Sequence, residues 1–563
     1  MKVLLIYPPF LNKRVSSDDV ASIPIGLYHV AAVLRDAGHD AQVANWHMPN
    51  LDMAKAVQTI ESFGPAVVGF SIVNGNRFGA LDMAAMLKER NPNLTIVLGG
   101  IGATFLWEHF LTHFPQVDYA VVGEGEEAMA SLVKCLEIGD SRGIAEIPGV
   151  AARVDGAPVL TEQKGYIRDI DALPRPSRFY KFQHLSLSRG CPHNCTFCGS
   201  PKFWGRTMRF HSADYFVRQL HTLAKSGEKF FYVSDDTFTL KKDLVIRVCK
   251  EIIEAGLDIS WNAISRVDRV DEDILYWMRK AGCIQISYGV ESGCETTRDM
   301  LNKNMSTQDI LRAFELTTRF GILSRAYFIY GCQGEGPEVL QANLDLMDAI
   351  KPLGAVFYIL DIFPGTRLYE EYVQKNNLTD DIWLKRVEDI MYWETDPALT
   401  QDLIEETGDA LRNHFYRNLP DYVYSLQLEN NPDLTMEHSD FYSRLGMTFT
   451  VGDYANDSRI SNASGVGEFL FEKALTFAQD PRAYLGLGLL RQKCGQFEKA
   501  LDILEKALEL FPNDEQIRLC LGTNLMNLGA FGRALKHFEL LPHLPGAIKY
   551  AEQCRACIAG SYR

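Results

Sequence analysis

The chain has 563 residues, 47% of them hydrophobic and 23% charged, with 57 basic against 72 acidic side chains and a net charge of −15. Such a length predicts two to four domains with large cores, and the acidic balance excludes a broad phosphate-binding surface and with it a nucleic-acid partner. No apolar run reaches membrane-spanning length, and the apolar opening segment 1–7 is too short for a signal peptide, so a buried first strand and a cytoplasmic protein are expected.

Residues 1–140 alternate strand and helix in the doubly wound α/β manner. Strands are predicted over 2–7, 66–72, 95–98 and 119–122, with a helix opened by Pro24-Ile25-Gly26-Leu27 and closed by Gly38. The strands end in turn-rich stretches: Pro8-Pro9, Ser71 onward to Asn74-Gly75-Asn76, Gly99-Gly100-Ile101-Gly102, and Gly123-Glu124-Gly125-Glu126. Ligands of open α/β sheets sit outside these carboxyl ends, and glycine there lets a large planar group approach the backbone. No G-x-G-x-x-G follows the first strand, which argues against a dinucleotide.

The set Pro8-Pro9, Pro24-x-Gly26-Leu27, Val68-Gly69-Phe70-Ser71, Leu98-Gly99-Gly100 and Gly123-Glu124-Gly125-Glu126 resembles the Rossmann-like cobalamin-binding domain found ahead of many radical S-adenosylmethionine (SAM) domains. The resemblance implies cobalamin contacts at Pro8, Ser71, Asn74, Gly99, Gly100, Gly123, Glu124, Gly125 and Glu126. The D-x-H-x-x-G loop that offers a histidine to cobalt is missing, and His47 has no aspartate two residues before it. Cobalt is therefore not expected to be His-ligated. The competing reading is a domain that has lost cobalamin and serves packing alone.

Residues 141–183 read as hairpin and linker. Asp155-Gly156 marks a two-residue turn, and Leu173-Pro174-Arg175-Pro176 is stiff and extended. From 184 to 370 short strands are predicted over 184–188, 229–234, 259–264, 284–290, 325–330 and 356–361, separated by amphipathic helices, which suggests a partial (β/α)6 barrel.

The first of these strands runs into Arg189-Gly190-Cys191-Pro192-His193-Asn194-Cys195-Thr196-Phe197-Cys198-Gly199, three thiols at C-x3-C-x2-C spacing. Thiolates hold iron–sulfur clusters, and a 4Fe-4S cluster takes four ligands; Cys191, Cys195 and Cys198 leave one iron open. Zinc sites favour paired C-x2-C knuckles, and only one is embedded here. A disulfide framework does not suit 12 cysteines in 563 residues. With Phe197 just before the last cysteine, the loop resembles that of the radical SAM enzymes, whose open iron is chelated by SAM. Chemistry in such barrels sits at the C-terminal strand ends. The resemblance places Phe197, Asp235 or Asp236, Arg266 and Glu291 against SAM, Arg266 as a bidentate partner of its carboxylate. Each has a structural alternative: Asp235 and Asp236 as helix caps, Arg266 in a surface ion pair.

Residues 371–464 read as a helical cap and linker: 371–446 are helix-prone and aromatic and are expected to cap the barrel mouth, and the polar stretch 456–464 reads as a loop. Beyond them Gly488 and Gly522, Gly495 and Gly529, Phe497 and Phe531, and Ala500 and Ala534 recur 34 residues apart, with Pro512 closing the first unit. This resembles tetratricopeptide repeats over 465–563, which would bind a protein partner or buttress the fold. The remaining cysteines read as small core residues, with Cys332 on the active-site rim.

Together these resemblances imply a radical SAM enzyme using a 4Fe-4S cluster, SAM and cobalamin, with no catalytic side chain assigned. The expected activity is C-methylation of an unactivated carbon in a small molecule or lipid, with electrons from a flavodoxin or ferredoxin. Oxidative cyclisation or rearrangement with the same cofactors is the runner-up. A tRNA methylthiotransferase would need an N-terminal cluster triad, yet Cys135 is the sole cysteine before the loop. A noncatalytic repeat scaffold is the reading from another class, and the intact triad speaks against it.

Overall fold

The computed structural model describes residues 1–11, 24–47, 51–162 and 165–560. Its N-terminal unit runs β1 (Lys2–Tyr7), α1 (Ile25–Asp36), β2 (Asp40–Asn45), α2 (Met53–Phe63), β3 (Val67–Ser71), α3 (Arg77–Arg90), β4 (Thr95–Gly99), α4 (Gly100–His113), β5 (Tyr119–Val121) and α5 (Glu126–Ile138). A short helix α6 (Ser141–Ile144) leads to the hairpin β6 (Val150–Val154) and β7 (Ala157–Leu160). The strands form one sheet in the order β2-β1-β3-β4-β5-β6-β7, parallel as far as β5 and antiparallel thereafter. The hairpin read as part of a linker thus finishes the sheet edge. Strand β2 escaped the sequence reading because an edge strand needs only alternate burial, and Ala41 is its one buried residue. Apolar layers cover both faces, Leu5, Leu27 and Met129 with α1 and α5 on one side, Phe70, Leu98 and Phe110 with α2 to α4 on the other.

The second unit runs β8 (His184–Leu185), β9 (Ser188–Arg189), α7 (Ser200–Trp204), β10 (Arg209–Phe210), α8 (Ala213–Lys225), β11 (Phe230–Val233), α9 (Lys242–Glu254), β12 (Ser260–Ser265), α10 (Glu272–Lys280), β13 (Cys283–Glu291), α11 (Glu295–Met300), α12 (Thr307–Arg319), β14 (Leu323–Tyr330), α13 (Pro337–Ile350) and β15 (Gly354–Ile359). Six strands, β8-β11-β12-β13-β14-β15, are all parallel, the partial barrel expected. Ser212, Asp271 and Ser306 cap α8, α10 and α12 by accepting a backbone N–H three residues on. The strand predicted over 184–188 divides: β8 stays in the barrel, while β9 turns away to pair antiparallel with β10. That divergence frees the chain for the cysteine loop.

After the barrel, β16 (Asp361–Ile362), α14 (Arg367–Asn376) and β17 (Ile390–Met391) line its mouth, and the segment 380–388 crosses to the N-terminal unit. There the buried Arg77 guanidinium donates to the carbonyls of Lys385 (3.1 Å), Val387 (2.5 Å) and Glu388 (3.0 Å), and Trp383 is fully buried in the N-terminal core. Helix α15 (Gln401–Tyr424) flanks α13, and α16 (Thr435–Thr450) and α17 (Ala463–Phe477) pack beneath the barrel. Arg444 of α16 reaches Ser260 at the start of β12 (2.8 Å), the end remote from the mouth. Only the first part of 371–446 therefore covers the mouth; the rest forms a side wall and a floor.

Helices α18 (Pro481–Lys493), α19 (Phe497–Leu510), α20 (Glu515–Asn527), α21 (Phe531–Glu539) and α22 (Pro545–Ile558) complete the chain. Gly488 lies against Leu504 and Gly522, 34 residues on, against Phe538, the small-residue crossings that make the repeat. The α16–α17 pair precedes them as a further helical hairpin. Among the described residues no helix is long and apolar enough to cross a membrane. A Cβ on Gly486 would overlap the Phe471 ring. Gly486→Ala is expected to destabilise the chain by about 1–3 kcal/mol through overpacking, seen as a lower urea midpoint with iron content unchanged.

Candidate functional site

Between Gly190 and Gly199 the chain has no regular structure, and Cys191, Cys195 and Cys198 are half-buried and free of disulfides. Gly190 is at φ +104°, and a Cβ there would overlap the Thr207 carbonyl, so glycine is required to turn the loop inward. The loop is pinned from two sides: Thr196 N–H donates to Leu301 O (3.1 Å), and Leu368 N–H donates to Thr196 O (3.1 Å). Burial raises the Cys195 thiol and pushes Cys198 up to about 12. These thiols hold their protons until a cation displaces them, which suits a metal cluster better than a free nucleophile.

The barrel strand ends present the residues singled out from sequence. Asp235 is buried and accepts from Leu187 N–H (2.8 Å) and the Ser188 hydroxyl; burial pushes its carboxyl up to about 7. It braces the bend between β8 and β9. Asp236 is the exposed one of the pair and accepts from Ser200 Oγ (2.5 Å). Neither caps a helix. Arg266 is a correction: its guanidinium is buried and consumed by Asp268 (3.0 Å) and by the carbonyls of Lys303 and Asn304 (3.2 Å each), so it has no bidentate face to offer. Glu291 sits at φ +65°, a left-handed conformation costly for glutamate, and pairs with Lys303 Nζ at 2.5 Å. Lys303 also stands 6.0 Å from the Phe197 ring centre, bringing Phe197, Glu291 and Lys303 together beside the thiols.

Lys303 was not singled out from sequence. Asn302 and Asn304 on either side are both at positive φ, and Asn-Lys-Asn was the available sign of a tight turn presenting a lysine. Cys332, placed on the rim, is instead fully buried with Leu301, Ile329 and Leu360.

A cavity of about 350 Å³ lies between the two sheets. Ser71, Gly99, Gly100, Gly123, Glu124, Gly125 and Glu126 line it from the N-terminal unit; Ser188, Arg189, Asp235 and Asp236 line it from the barrel. Its inner end passes between Leu5, Gly69, Val97 and Met129, and a Cβ on Gly69 would stand 2.8 Å from Leu5 Cδ2. His29 on its wall is buried, held neutral by that burial, and its Nδ1 has no hydrogen-bond partner among the described residues. An orphaned ring nitrogen and a glycine-kept groove fit a large ligand that is part polar and part apolar. Two expected contacts lie elsewhere. The Pro8 carbonyl accepts from Asn76 Nδ2 (3.3 Å), and Asn74 Nδ2 donates to Glu388 O (2.9 Å), which ties both to local packing and to the 380–388 crossing.

Glu124 and Glu126 border the cavity but are already paired. Arg189 donates to Glu124 (2.6 Å) and Glu126 (2.6 Å), and Arg209 donates to Glu124 (2.6 Å), all three pairs among side chains at most 8% exposed. Arg189 immediately precedes the loop glycine, so the glutamates serve as a joint between the two sheets.

Family descriptions match three stretches: B12 binding domain over residues 16–133, Radical SAM superfamily over 185–347 and Tetratricopeptide repeat over 481–514. An uncharacterized methyltransferase of Pyrococcus horikoshii is 30% identical over 397 residues, covering 68% of this chain and 86% of that protein. The anaerobic magnesium-protoporphyrin IX monomethyl ester cyclase of Rubrivivax gelatinosus is 29% identical over 402 residues, 68% of this chain and 71% of its own. Among solved structures, the cobalamin-dependent S-adenosylmethionine radical enzyme OxsB, with aqua-cobalamin and S-adenosylmethionine bound, superposes with a TM-score of 0.56 at 18% identity over 94% of this chain and 84% of its own. At that identity the likeness is one of fold.

Removing one partner of a buried ion pair typically costs about 3–5 kcal/mol. Arg189→Met, which keeps the length but strands Glu124 and Glu126, is expected to lower stability by that order in urea unfolding. Arg189→Lys, able to reach one carboxylate at a time, should fall between.

Proposed function

Because this chain belongs to the radical SAM enzymes that carry an N-terminal B12-binding domain, we propose that it is a methyltransferase acting on an unactivated carbon of a small molecule or lipid. The observation that carries the reading is a cavity shared by the strand ends of both sheets, beside the three-thiol loop. Two reactive centres acting on one substrate must be close, oriented and dry, and a shared cavity between the two sheets supports such an arrangement. The resemblance of the P. horikoshii methyltransferase over most of its length supports the same outcome.

Cys191, Cys195 and Cys198 would hold the 4Fe-4S cluster. Phe197, the exposed Asp236, and Glu291 with Lys303 would hold SAM; Lys303 replaces Arg266 as the cation within reach of a carboxylate. Ser71, Gly99, Gly100, Gly123 and Gly125 would hold cobalamin, with the groove at Gly69 part of the same cavity. When bound, the cluster supplies the electron that cleaves SAM to a 5′-deoxyadenosyl radical, and cobalamin supplies the methyl group. This chain's residues do the rest: the Arg189 joint sets the distance between centres, and the 380–388 crossing with β16 and β17 walls the mouth from water. A flavodoxin or ferredoxin in the cytoplasm is the proposed reductant, and the repeats the proposed contact for a protein partner.

Anaerobically reconstituted enzyme given SAM, reductant and substrate should yield 5′-deoxyadenosine and S-adenosylhomocysteine in equal amounts with a methylated product. Deoxyadenosine without S-adenosylhomocysteine would move the assignment to oxidative cyclisation, the outcome favoured by the R. gelatinosus relative. Cys195→Ala should lose the cluster's iron and both products. Gly69→Leu, which fills the groove, should weaken cobalamin binding by about 5- to 150-fold, the affinity equivalent of a steric cost of about 1–3 kcal/mol, with iron content intact.

A further inference from the structure

Outside the cavity, the described residues bring two imidazoles and a carboxylate together where the 380–388 crossing meets the N-terminal unit. His109 and His113 are four residues apart on α4 and so share a face. Asp381 comes from a 3-10 turn, Asp380–Leu384, after α14. Each of the three offers a ligand atom within 4.8 Å of the others, and His113 Nε2 stands 3.0 Å from Asp381 Oδ1. His109 is 5% exposed, and its Nε2 is buried without a hydrogen-bond partner among the described residues. An unmet buried ring nitrogen is costly.

We propose that His109, His113 and Asp381 form a binding site for one divalent cation of the zinc class, distinct from the cysteine loop. Three nitrogen and oxygen ligands with a fourth position left to water are a normal zinc set, and two histidines one helical turn apart are a familiar way to supply two of them. Ligand atoms around a tetrahedral zinc lie about 3.4 Å apart; the His113–Asp381 pair is already near that spacing, and rotation of His109 about its side-chain bonds closes the remainder. Imidazole with carboxylate suits zinc, and nickel or cobalt as probes, better than calcium or magnesium. The neighbouring Asp380 is not free to compete, because it accepts from the Tyr369 hydroxyl (2.5 Å), whose oxygen accepts from Trp383 Nε1 (2.9 Å). His113 and Asp381 side chains are 32% and 62% exposed, which gives a cation its way in. Burial lowers His109 to about 4, so it is neutral and ready to ligate at physiological pH.

The position gives the site a task. Helix α4 begins at Gly100 on the cavity wall, and the chain after Asp381 leads to β17 and to Tyr392, which packs in the same apolar cluster as Phe197. A cation there fastens the wall of the barrel mouth to the helix that borders the cavity.

The test uses the full chain with its iron–sulfur cluster in place, equilibrated with zinc, dialysed, and compared with His113→Ala and Asp381→Asn, both partly exposed and tolerant of change. Wild type should retain one zinc per chain beyond its iron, with an X-ray absorption shell of nitrogen and oxygen alone. Both variants should bind zinc at least about tenfold more weakly, since even loss of an outer-shell partner typically costs that much, with iron unchanged. Zinc should raise the melting temperature of wild type and not of the variants. Equal retention by wild type and both variants, none included, or a zinc shell containing sulfur, would overturn the site.

Discussion

Arg189 meets Glu124 through one guanidinium nitrogen and Glu126 through the other, all three side chains almost wholly out of water. Charges so placed are tolerable only when each finds its partner, so any docking of the two sheets that separates them is heavily disfavoured. The glutamates stand just beyond β5, and the arginine stands one residue before the glycine that starts the cysteine loop. Fixing three groups therefore fixes the strand ends of both sheets against each other. Arg209 strengthens the joint, pairing with Glu124 while lying over the rings of Tyr166 (5.1 Å) and Trp204 (5.3 Å). Neutral apolar residues could supply as much adhesion, but not the same single orientation.

A second fastening closes the opposite side. Arg77 is buried, and burial lowers its pKa to about 10, yet both terminal nitrogens of its guanidinium donate to carbonyls of the 380–388 crossing. Carbonyls accept without demanding a particular side chain, so this grip depends on the path of the backbone, whereas the Arg189 joint depends on residue identity. The two fastenings flank the cavity and tie its walls together through the protein's own ion pairs and hydrogen bonds, the kind of rigid frame that orients reacting groups.

The barrel was readable because parallel strands are short apolar runs and their ends are punctuated by glycine and charge. The cysteine loop was readable because its spacing carries its chemistry. Partner choice was not. Glu124 and Glu126 occupy a strand end where cofactor contacts belong, and nothing local reveals that Arg189, in a different domain, claims them. Arg266 follows the same pattern: its position fits a carboxylate ligand, but the Asn302–Asn304 turn folds its carbonyls onto the guanidinium. Pro8 and Asn74 look like ligand contacts until the distant 380–388 segment and α3 are seen beside them. Local composition reports which elements form; which polar group meets which is decided by long-range packing.

Apolar packing runs unbroken from Tyr288 and Phe314 in the barrel through Phe441 and Phe471 to Leu487 and Leu490 in α18, while the outer helices have a small core of their own around Leu521 and Phe538. The inner superhelical turn is thus foundation, and the outer one is handle. Anything gripping the handle would load the underside of the barrel, away from the cysteine loop.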